Sequence, residues 1–397
     1  MVASVPAGSI ETMDNVIPLR SARPKVLEFF AGIGLARRGL EAAGFSVAWA
    51  NDFEPSKKAM YDAEFGTEHP FHLGDIADVK VSDLPADAAL AWASSPCTDL
   101  SLAGGRAGFA GTQSSTFWQF IRLLDELGDA RPEAIVLENV TGLASSHGGD
   151  DLTAAIRAFN QLGYSADVLA IDARLFVPQS RPRLFVVGTQ HPPVSSAEAS
   201  ALRPDWLEWV HNDKTLRTHR AALPEPPAAM TSGLSAIVEP VPAADERWWD
   251  AARTAAFASS LSPVQAARVA ALRRTPGVKY RTAYRRTRKG VAVWEVRADD
   301  LSGCLRTARG GSSKQAVVKL GNGRMQVRWM TPVEYARLMG AGDYNLAGAR
   351  DSQVLFGFGD AVAVPVVSWL AEHYLMPLVR GQFDLAGASS EAAADGQ

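Results

Sequence analysis

The sequence predicts an α/β fold, with a doubly wound, mainly parallel sheet followed by a second and more irregular domain. Short apolar runs alternate with helical patterns through the first half of the chain. After about Gln190 that alternation gives way to repeated prolines and tryptophans. A segment bearing a cysteine, Ser95-Pro96-Cys97-Thr98, follows directly on an apolar run and precedes a glycine-rich stretch, the expected place for a reactive group at the exit of a buried strand.

Taken in order, residues 25–30 (KVLEFF) read as a strand, 35–43 as a helix, 45–50 as a second strand and 55–65 as a second helix. Residues 89–93 (ALAWA) form a short buried strand, which Pro96 ends because proline has no N–H for a ladder. A helix follows around 117–127, a strand at 134–137 (AIVL), a helix near 152–162 and a strand at 184–187 (LFVV). Ligands of such a sheet lie beyond the carboxyl ends of its strands.

Past Gln190, eight prolines from Pro192 to Pro242 interrupt any regular pattern, and Trp206, Trp209, Trp248 and Trp249 enter. Order returns at Thr331-Pro332-Val333-Glu334, where threonine caps a helix with proline at its first position and glutamate at its third. A last helix is expected at 362–374. The expected organisation is a tail at 1–23, a first domain at 24–190, a second at 191–327, a return to the first at 328–382 and a disordered tail at 383–397.

Composition narrows the class. The 397 residues are 47% hydrophobic and 21% charged, ordinary for a soluble chain of two or three domains. No run approaches the roughly 18 consecutive apolar residues of a membrane helix. The first residues carry Glu11 and Asp14 and lack a basic start before an apolar core, so no secretory signal, no membrane partner and a cytoplasmic location are expected. Two cysteines, Cys97 and Cys304, exclude a disulfide scaffold and a multi-cysteine zinc site. The seven histidines show no ligand spacing, so no metal is expected.

A net charge of -3 hides a local bias. Arg273, Arg274, Lys279, Arg281, Arg285, Arg286, Arg288 and Lys289 lie together with no acidic residue among them, and Tyr280 and Tyr284 interleave. Such a surface can neutralise phosphates and stack on bases, although a solvated charged face has the same composition.

The first strand ends in Phe29-Phe30-Ala31-Gly32-Ile33-Gly34, a glycine turn that lets a cofactor approach the backbone. The next glycine is Gly39, so the G-x-G-x-x-G pyrophosphate fingerprint fails. Asn51-Asp52-Phe53 ends the second strand with a carboxylate where ribose hydroxyls would sit and an aromatic ring beside it. Gly74-Asp75-Ile76 could read an adenine edge. These features fit an adenosine without a pyrophosphate, S-adenosylmethionine better than NAD.

Further segments complete a series: Leu137-Glu138-Asn139-Val140, then Pro178-Gln179-Ser180-Arg181-Pro182-Arg183, then the stretch from Arg328 to Gly340 and Phe356-Gly-Phe-Gly-Asp360-Ala-Val362. With FAGIG, PC, ENV and Q-x-R-x-R in that order, then a variable segment and a return to the first domain, the chain resembles the cytosine C5 DNA methyltransferases of bacteria and phages. The resemblance covers roughly residues 25–190 and 303–378. It implies a Rossmann-like sheet of the S-adenosylmethionine-dependent type and a target-recognition domain. It also implies S-adenosylmethionine as cofactor, S-adenosylhomocysteine as product and double-stranded DNA as partner. A monomer is expected, and the family allows a companion restriction endonuclease.

On that resemblance Cys97 is the nucleophile that adds to C6 of the target cytosine and makes C5 enamine-like. A free thiol has a pKa near 8.5, so nearby positive charge helps, and Arg181 and Arg183 are the candidates to provide it. Glu138 holds N3 and Arg183 holds O2 as charge develops there. Methyl transfer to C5, loss of the C5 proton and elimination of Cys97 then give 5-methylcytosine. The base must be flipped from the duplex, and the segment with Gly104, Gly105, Gly108 and Gly111 could close over it.

The cofactor residues implied are Phe30, Gly32, Gly34, Asp52, Phe53, Asp75, Ile76, Pro96 and Val362. Arg281, Arg285, Arg286 and Arg288, with Arg306 and Arg309 in the later stretch GCLRTARGG, are the expected DNA contacts, since arginine reads guanine bidentately. Cys304 is expected to be structural. The chain departs from the family at Thr98, usually glutamine, and at Asp360, usually asparagine, where a carboxylate falls near the zwitterionic methionine end of the cofactor. Three other readings stay in view. A tRNA cytosine methyltransferase would share the chemistry but usually carries Cys-Phe-Thr, absent here; a nicotinamide oxidoreductase lacks the ordered motifs; a noncatalytic relative would be expected to lose the cysteine or the glutamate.

Overall fold

The computed structural model describes residues 22–95, 116–196, 198–288, 290–306 and 314–385. Pro96, Cys97, Thr98, the glycines of 104–111 and Arg309 lie outside them, as do most of the two expected tails.

The larger sheet comprises β1 (Lys25–Phe29), β2 (Ser46–Asp52), β3 (Phe71–Leu73), β4 (Ala88–Ser94), β5 (Ala134–Val140), β6 (Ser165–Asp172) and β7 (Pro182–Thr189), in the order β3-β2-β1-β4-β5-β7-β6. The first five strands run parallel, and β7 lies antiparallel between β5 and β6. Both faces are covered, as a parallel sheet requires. Val26, Leu90, Trp92 and Val136 point into one core cluster, and Leu27, Ala91, Ile135 and Leu137 into the other. The first layer includes α1 (Leu35–Ala42) and residues of α2 (Pro55–Phe65), and the second α3 (Thr116–Glu126) and α4 (Asp150–Gln161).

The chain moves outward from β1 to β2 and β3, then returns to place β4 on the other side of β1. That reversal makes a crevice outside the carboxyl ends of β1 and β4, the place where open α/β sheets take ligands. A charged residue inside β1, Glu28, is fully buried and accepts from the Arg37 N–H at 3.0 Å and the Tyr61 hydroxyl at 3.2 Å. Burial pushes its carboxyl up to about 8.

Beyond Thr189 come the short helices α5 (Glu208–Asn212) and α6 (Leu234–Ile237), then α7 (Ala251–Ser259) and α8 (Pro263–Arg274). The second region is less irregular than its prolines suggest, because eight of them precede residue 250 and Pro263 opens α8 as its first residue. After α8, strands β8 (Lys279–Arg288), β9 (Val291–Val296), β10 (Ala316–Gly321) and β11 (Arg324–Trp329) form an antiparallel sheet in the order β11-β10-β8-β9. The basic run is therefore largely a strand. Its small core holds Phe257, Val269, Ala283 and Val318, with Trp249, Trp294 and Trp329 packed against it.

The chain then returns through α9 (Pro332–Leu338), α10 (Asp351–Asp360), α11 (Val364–Leu370), a π-helical turn (Ala371–Leu375) and α12 (Met376–Val379). Thr331 caps α9 by accepting from the Glu334 N–H at 3.3 Å, while the Glu334 carboxylate takes the Thr331 N–H at 2.8 Å. Tyr344 ties this segment to the glycine turn and to α2 by donating to the carbonyls of Ile33 at 2.8 Å and Met60 at 2.9 Å. The stretch Asp351–Val379 has the length and apolar composition of a membrane span, but 67% of its most apolar window is buried in the fold.

Candidate functional site

The site is built where β1, β4 and β5 end. Phe29 pairs with Ala93 and Ser94 with Glu138, so the glycine turn after β1, the exit of β4 and the end of β5 lie side by side. Phe30 leaves β1 with a φ of 57°, a left-handed conformation uncommon outside glycine, and its N–H is held by Asn51 Oδ1 at 3.1 Å. Gly34 has a φ of 78°, and a Cβ there would lie 2.3 Å from the Phe65 ring, so the position admits only glycine.

The Gly32 N–H, in the same turn, donates to Asp52 Oδ2 at 2.9 Å. Asp52 Oδ1 accepts from the Glu54 N–H at 2.9 Å. Burial raises the Asp52 carboxyl above its usual range, against the pull of the Lys57 cation and those two donors. Phe53 beside it is 60% exposed, leaving its ring free as a stacking face. Ile76 is buried, Asp75 accepts from the Ala77 N–H at 2.8 Å, and Val362 is buried at the start of the link to α11. Pro96, the remaining cofactor candidate, lies outside the described residues.

The structure brings Glu138 and Arg183 together. Arg183 Nε is 3.1 Å from Glu138 Oε1, and both side chains are largely buried. Asn139, next to Glu138, donates to the Ser95 carbonyl at 3.0 Å and anchors the chain leaving β4. Cys97 follows two residues later, outside the described residues.

Arg181 is 1% exposed and reaches across the molecule. Its Nη1 donates to the Leu305 carbonyl at 2.7 Å and lies 3.4 Å from Cys304 Sγ; its Nη2 donates to the carbonyls of Gly359, at 3.0 Å, and Ala361. Burial lowers its pKa to about 10, leaving it charged at neutral pH. Those contacts make it a clamp between the segment before β10 and the end of α10. Gln179 does similar work, donating to the Leu338 carbonyl at 2.8 Å and accepting from the Leu305 N–H at 3.0 Å.

The basic residues divide. Arg281 pairs with Asp300 at 3.4 Å, and Arg286 lies 3.3 Å from Glu295 and over the Tyr284 ring. Arg285, Arg286 and Arg306 line a cavity of about 220 Å³ together with Cys304 and Gln315. The Arg288 side chain and Arg309 lie outside the described residues. Cys304, expected to be merely structural, sits in a cationic setting: burial opposes its ionisation, but Arg181, Arg183 and Arg306 outweigh burial and hold the thiol below its usual range.

One contact was not foreseen. Lys57 Nζ lies 2.9 Å from Asp360 Oδ2. A lysine in the first turn of a helix was the available signal, since a cation there opposes the helix dipole.

The sequence profile of the family described as C-5 cytosine-specific DNA methylase matches residues 24–375. The chain belongs to that family. It is 34% identical over 165 residues to the Type II methyltransferase M.HaeII of Haemophilus aegyptius, covering 41% of this chain and 50% of that one. It is 30% identical over 179 residues to the orphan methyltransferase M.SPRI of Bacillus phage SPR, covering 44% and 40%. The chain spans about half the length of the curated relatives it matches. Among solved structures, the S. pombe Dnmt2 methyltransferase superposes with a TM-score of 0.58 at 17% identity, over 90% of this chain and 99% of that one. The Entamoeba histolytica methyltransferase EhMeth gives 0.56 at 14%, over 91% and 99%. At such identities the likeness is one of fold, and it is that of the methylase sheet with its separate second region.

Proposed function

We propose that this chain transfers the methyl group of S-adenosylmethionine to C5 of a flipped-out cytosine in a specific duplex DNA sequence, through a covalent bond from Cys97 to C6. The observation that carries the reading is the Glu138–Arg183 pair, 3.1 Å apart at the end of β5 and next to the strand exit that leads to Cys97.

Cytosine C5 is a poor nucleophile until a thiolate adds at C6, and that addition pushes charge onto N3 and O2. Glu138 is the group to share a proton with N3, and Arg183, already beside it, donates to O2. Arg183 also neutralises Glu138 while no base is bound. Loss of the C5 proton after methylation lets the Cys97–C6 bond break and frees 5-methylcytosine.

The crevice fits S-adenosylmethionine, which when bound supplies an electrophilic methyl. The left-handed turn from Phe30 to Gly34 lets a ligand lie against the backbone. Each Asp52 oxygen accepts one backbone N–H and keeps capacity for a ribose hydroxyl. Phe53 offers a ring for adenine, with Asp75, Ile76 and Val362 completing the wall, and Pro96 is the further cofactor residue that the family pattern assigns. DNA phosphates and bases fall to Arg285, Arg286, Arg288, Arg306 and Arg309. Monomeric action in the cytoplasm, with a restriction endonuclease where one accompanies it, completes the reading.

The test is methyl transfer from labelled S-adenosylmethionine to duplex DNA or to tRNA by the full chain. Label in 5-methylcytosine of the duplex is expected. Label in tRNA alone, or in neither, overturns the proposal.

A further inference from the structure

We infer that Lys57 and Asp360 together bind the amino-acid end of S-adenosylmethionine, Lys57 taking its carboxylate and Asp360 its ammonium group. The inference rests on the cofactor reading above.

The pair sits in the cofactor crevice. Lys57 Nζ is 2.9 Å from Asp360 Oδ2 and 4.9 Å from the centre of the Phe356 ring. A Cβ on Gly32 would lie 4.0 Å from Lys57 Cδ, so the lysine stem runs along the glycine turn whose N–H binds Asp52. The turn, the Asp52 carboxylate and the Lys57–Asp360 pair therefore share one wall.

Nothing in helix energetics favours these charges where they are. Lys57 is the third residue of α2, at the positive end of the helix dipole; Asp360 is the last of α10, at the negative end. Each charge stands at the end that disfavours it. Lys57 is also only 9% exposed, a costly burial for an ammonium group. The adjacent Lys58 shows the ordinary alternative, pairing with Asp62 one turn along the same helix.

What the pair does offer is complementarity. An α-amino acid carries its carboxylate and its ammonium on the same carbon, and a lysine bonded to an aspartate presents the two opposite charges as close neighbours. The ammonium of Lys57 has three donors, so it can keep Asp360 and take a second carboxylate. The carboxylate at 360 and the cation at 57 thus act as one device.

The experiment compares two ligands on the full chain by calorimetry. S-adenosylhomocysteine and 5′-methylthioadenosine share the adenosine and the thioether, and only the first has the amino-acid end. Lys57→Met and Asp360→Asn should each weaken S-adenosylhomocysteine binding by roughly 10- to 100-fold, the scale of a lost charge-assisted hydrogen bond, while 5′-methylthioadenosine stays within about twofold. Lys57→Arg should keep part of the preference. Equal loss of both ligands, or a preference unchanged while the ligand-free melting temperature falls, makes the pair a strut between α2 and α10 and overturns the inference. If the unaltered chain binds neither ligand, the cofactor reading fails and this inference with it.

Discussion

Glu138 and Arg183 face each other from adjacent antiparallel strands, β5 and β7, with Nε 3.1 Å from Oε1. Backbone pairing sets the register of both strands, so the two groups meet without help from a loop. On the proposed function, a carboxylate and a guanidinium held this way meet a base that gains charge at N3 and O2.

Glu138→Gln keeps the size of the side chain and removes its acid-base capacity. Turnover should fall by about 10² or more, the usual scale for a positioned acid or base. Affinity for S-adenosylhomocysteine, measured in parallel, should stay nearly unchanged; an equal loss there would move Glu138 into the cofactor site.

The covalent step can be caught with 5-fluorocytosine at the target position. Fluorine replaces the C5 proton whose loss permits elimination, so the enzyme should stay bonded to the DNA on a denaturing gel when S-adenosylmethionine is present. Cys97→Ala should abolish the band. Cys304→Ala should not, even though its arginine neighbours favour the thiolate. A band that depends on Cys304 would reassign the nucleophile.

Replacing Arg285, Arg286 and Arg288 together with alanine should weaken DNA binding and flatten its salt dependence, by about 0.9 in log–log slope for each lost phosphate contact. Arg281→Ala should leave the slope alone, because Asp300 already holds that guanidinium. Equilibrium binding across a salt series reads both, and an unchanged slope in the triple variant returns β8 to a solvated surface.

Two buried groups set opposite pH limits on stability. His219 lies 2.8 Å from the Tyr374 hydroxyl and 3.0 Å from Ser165 Oγ, and burial pushes it down to about 4 from 6.5. Its depressed value adds stability that is present above 6.5 and is lost as pH falls toward 4, where the folded state must also take the proton. Glu28, raised from 4.5 to about 8, works the other way: its contribution is full below 4.5 and declines as pH rises toward 8. Denaturant unfolding across this range should show Glu28→Gln flattening the alkaline limb and leaving the acid limb in place.

Much of this was legible locally. Pro55 opens α2 and Gly66 ends it, and the helix spans the expected 55–65. The capping box from Thr331 to Glu334 formed as read. The motif order also pointed to the family that the profile match establishes. No local pattern marks the strands β3 and β6, because three residues make no period and SADVLAID mixes aspartates into its apolar run. Asp167 there is buried among partners from later segments: Arg203 pairs with it, and the Ala221 N–H at 3.0 Å and the Tyr374 hydroxyl at 3.1 Å donate to it.

By itself the sequence determined most helices and strands of the larger sheet, though not β3 or β6, together with the glycine turn and the residue types that a cytosine methylase needs, because caps, breakers and apolar periods act between near neighbours. Only the tertiary structure decided which charges face which. Lys57 and Asp360 are 303 positions apart, Arg181 and Leu305 are 124 apart, and Arg281 and Asp300 are 19 apart. Such pairings follow from how the crossovers and the returning helices bring distant segments together, and no local pattern encodes that geometry.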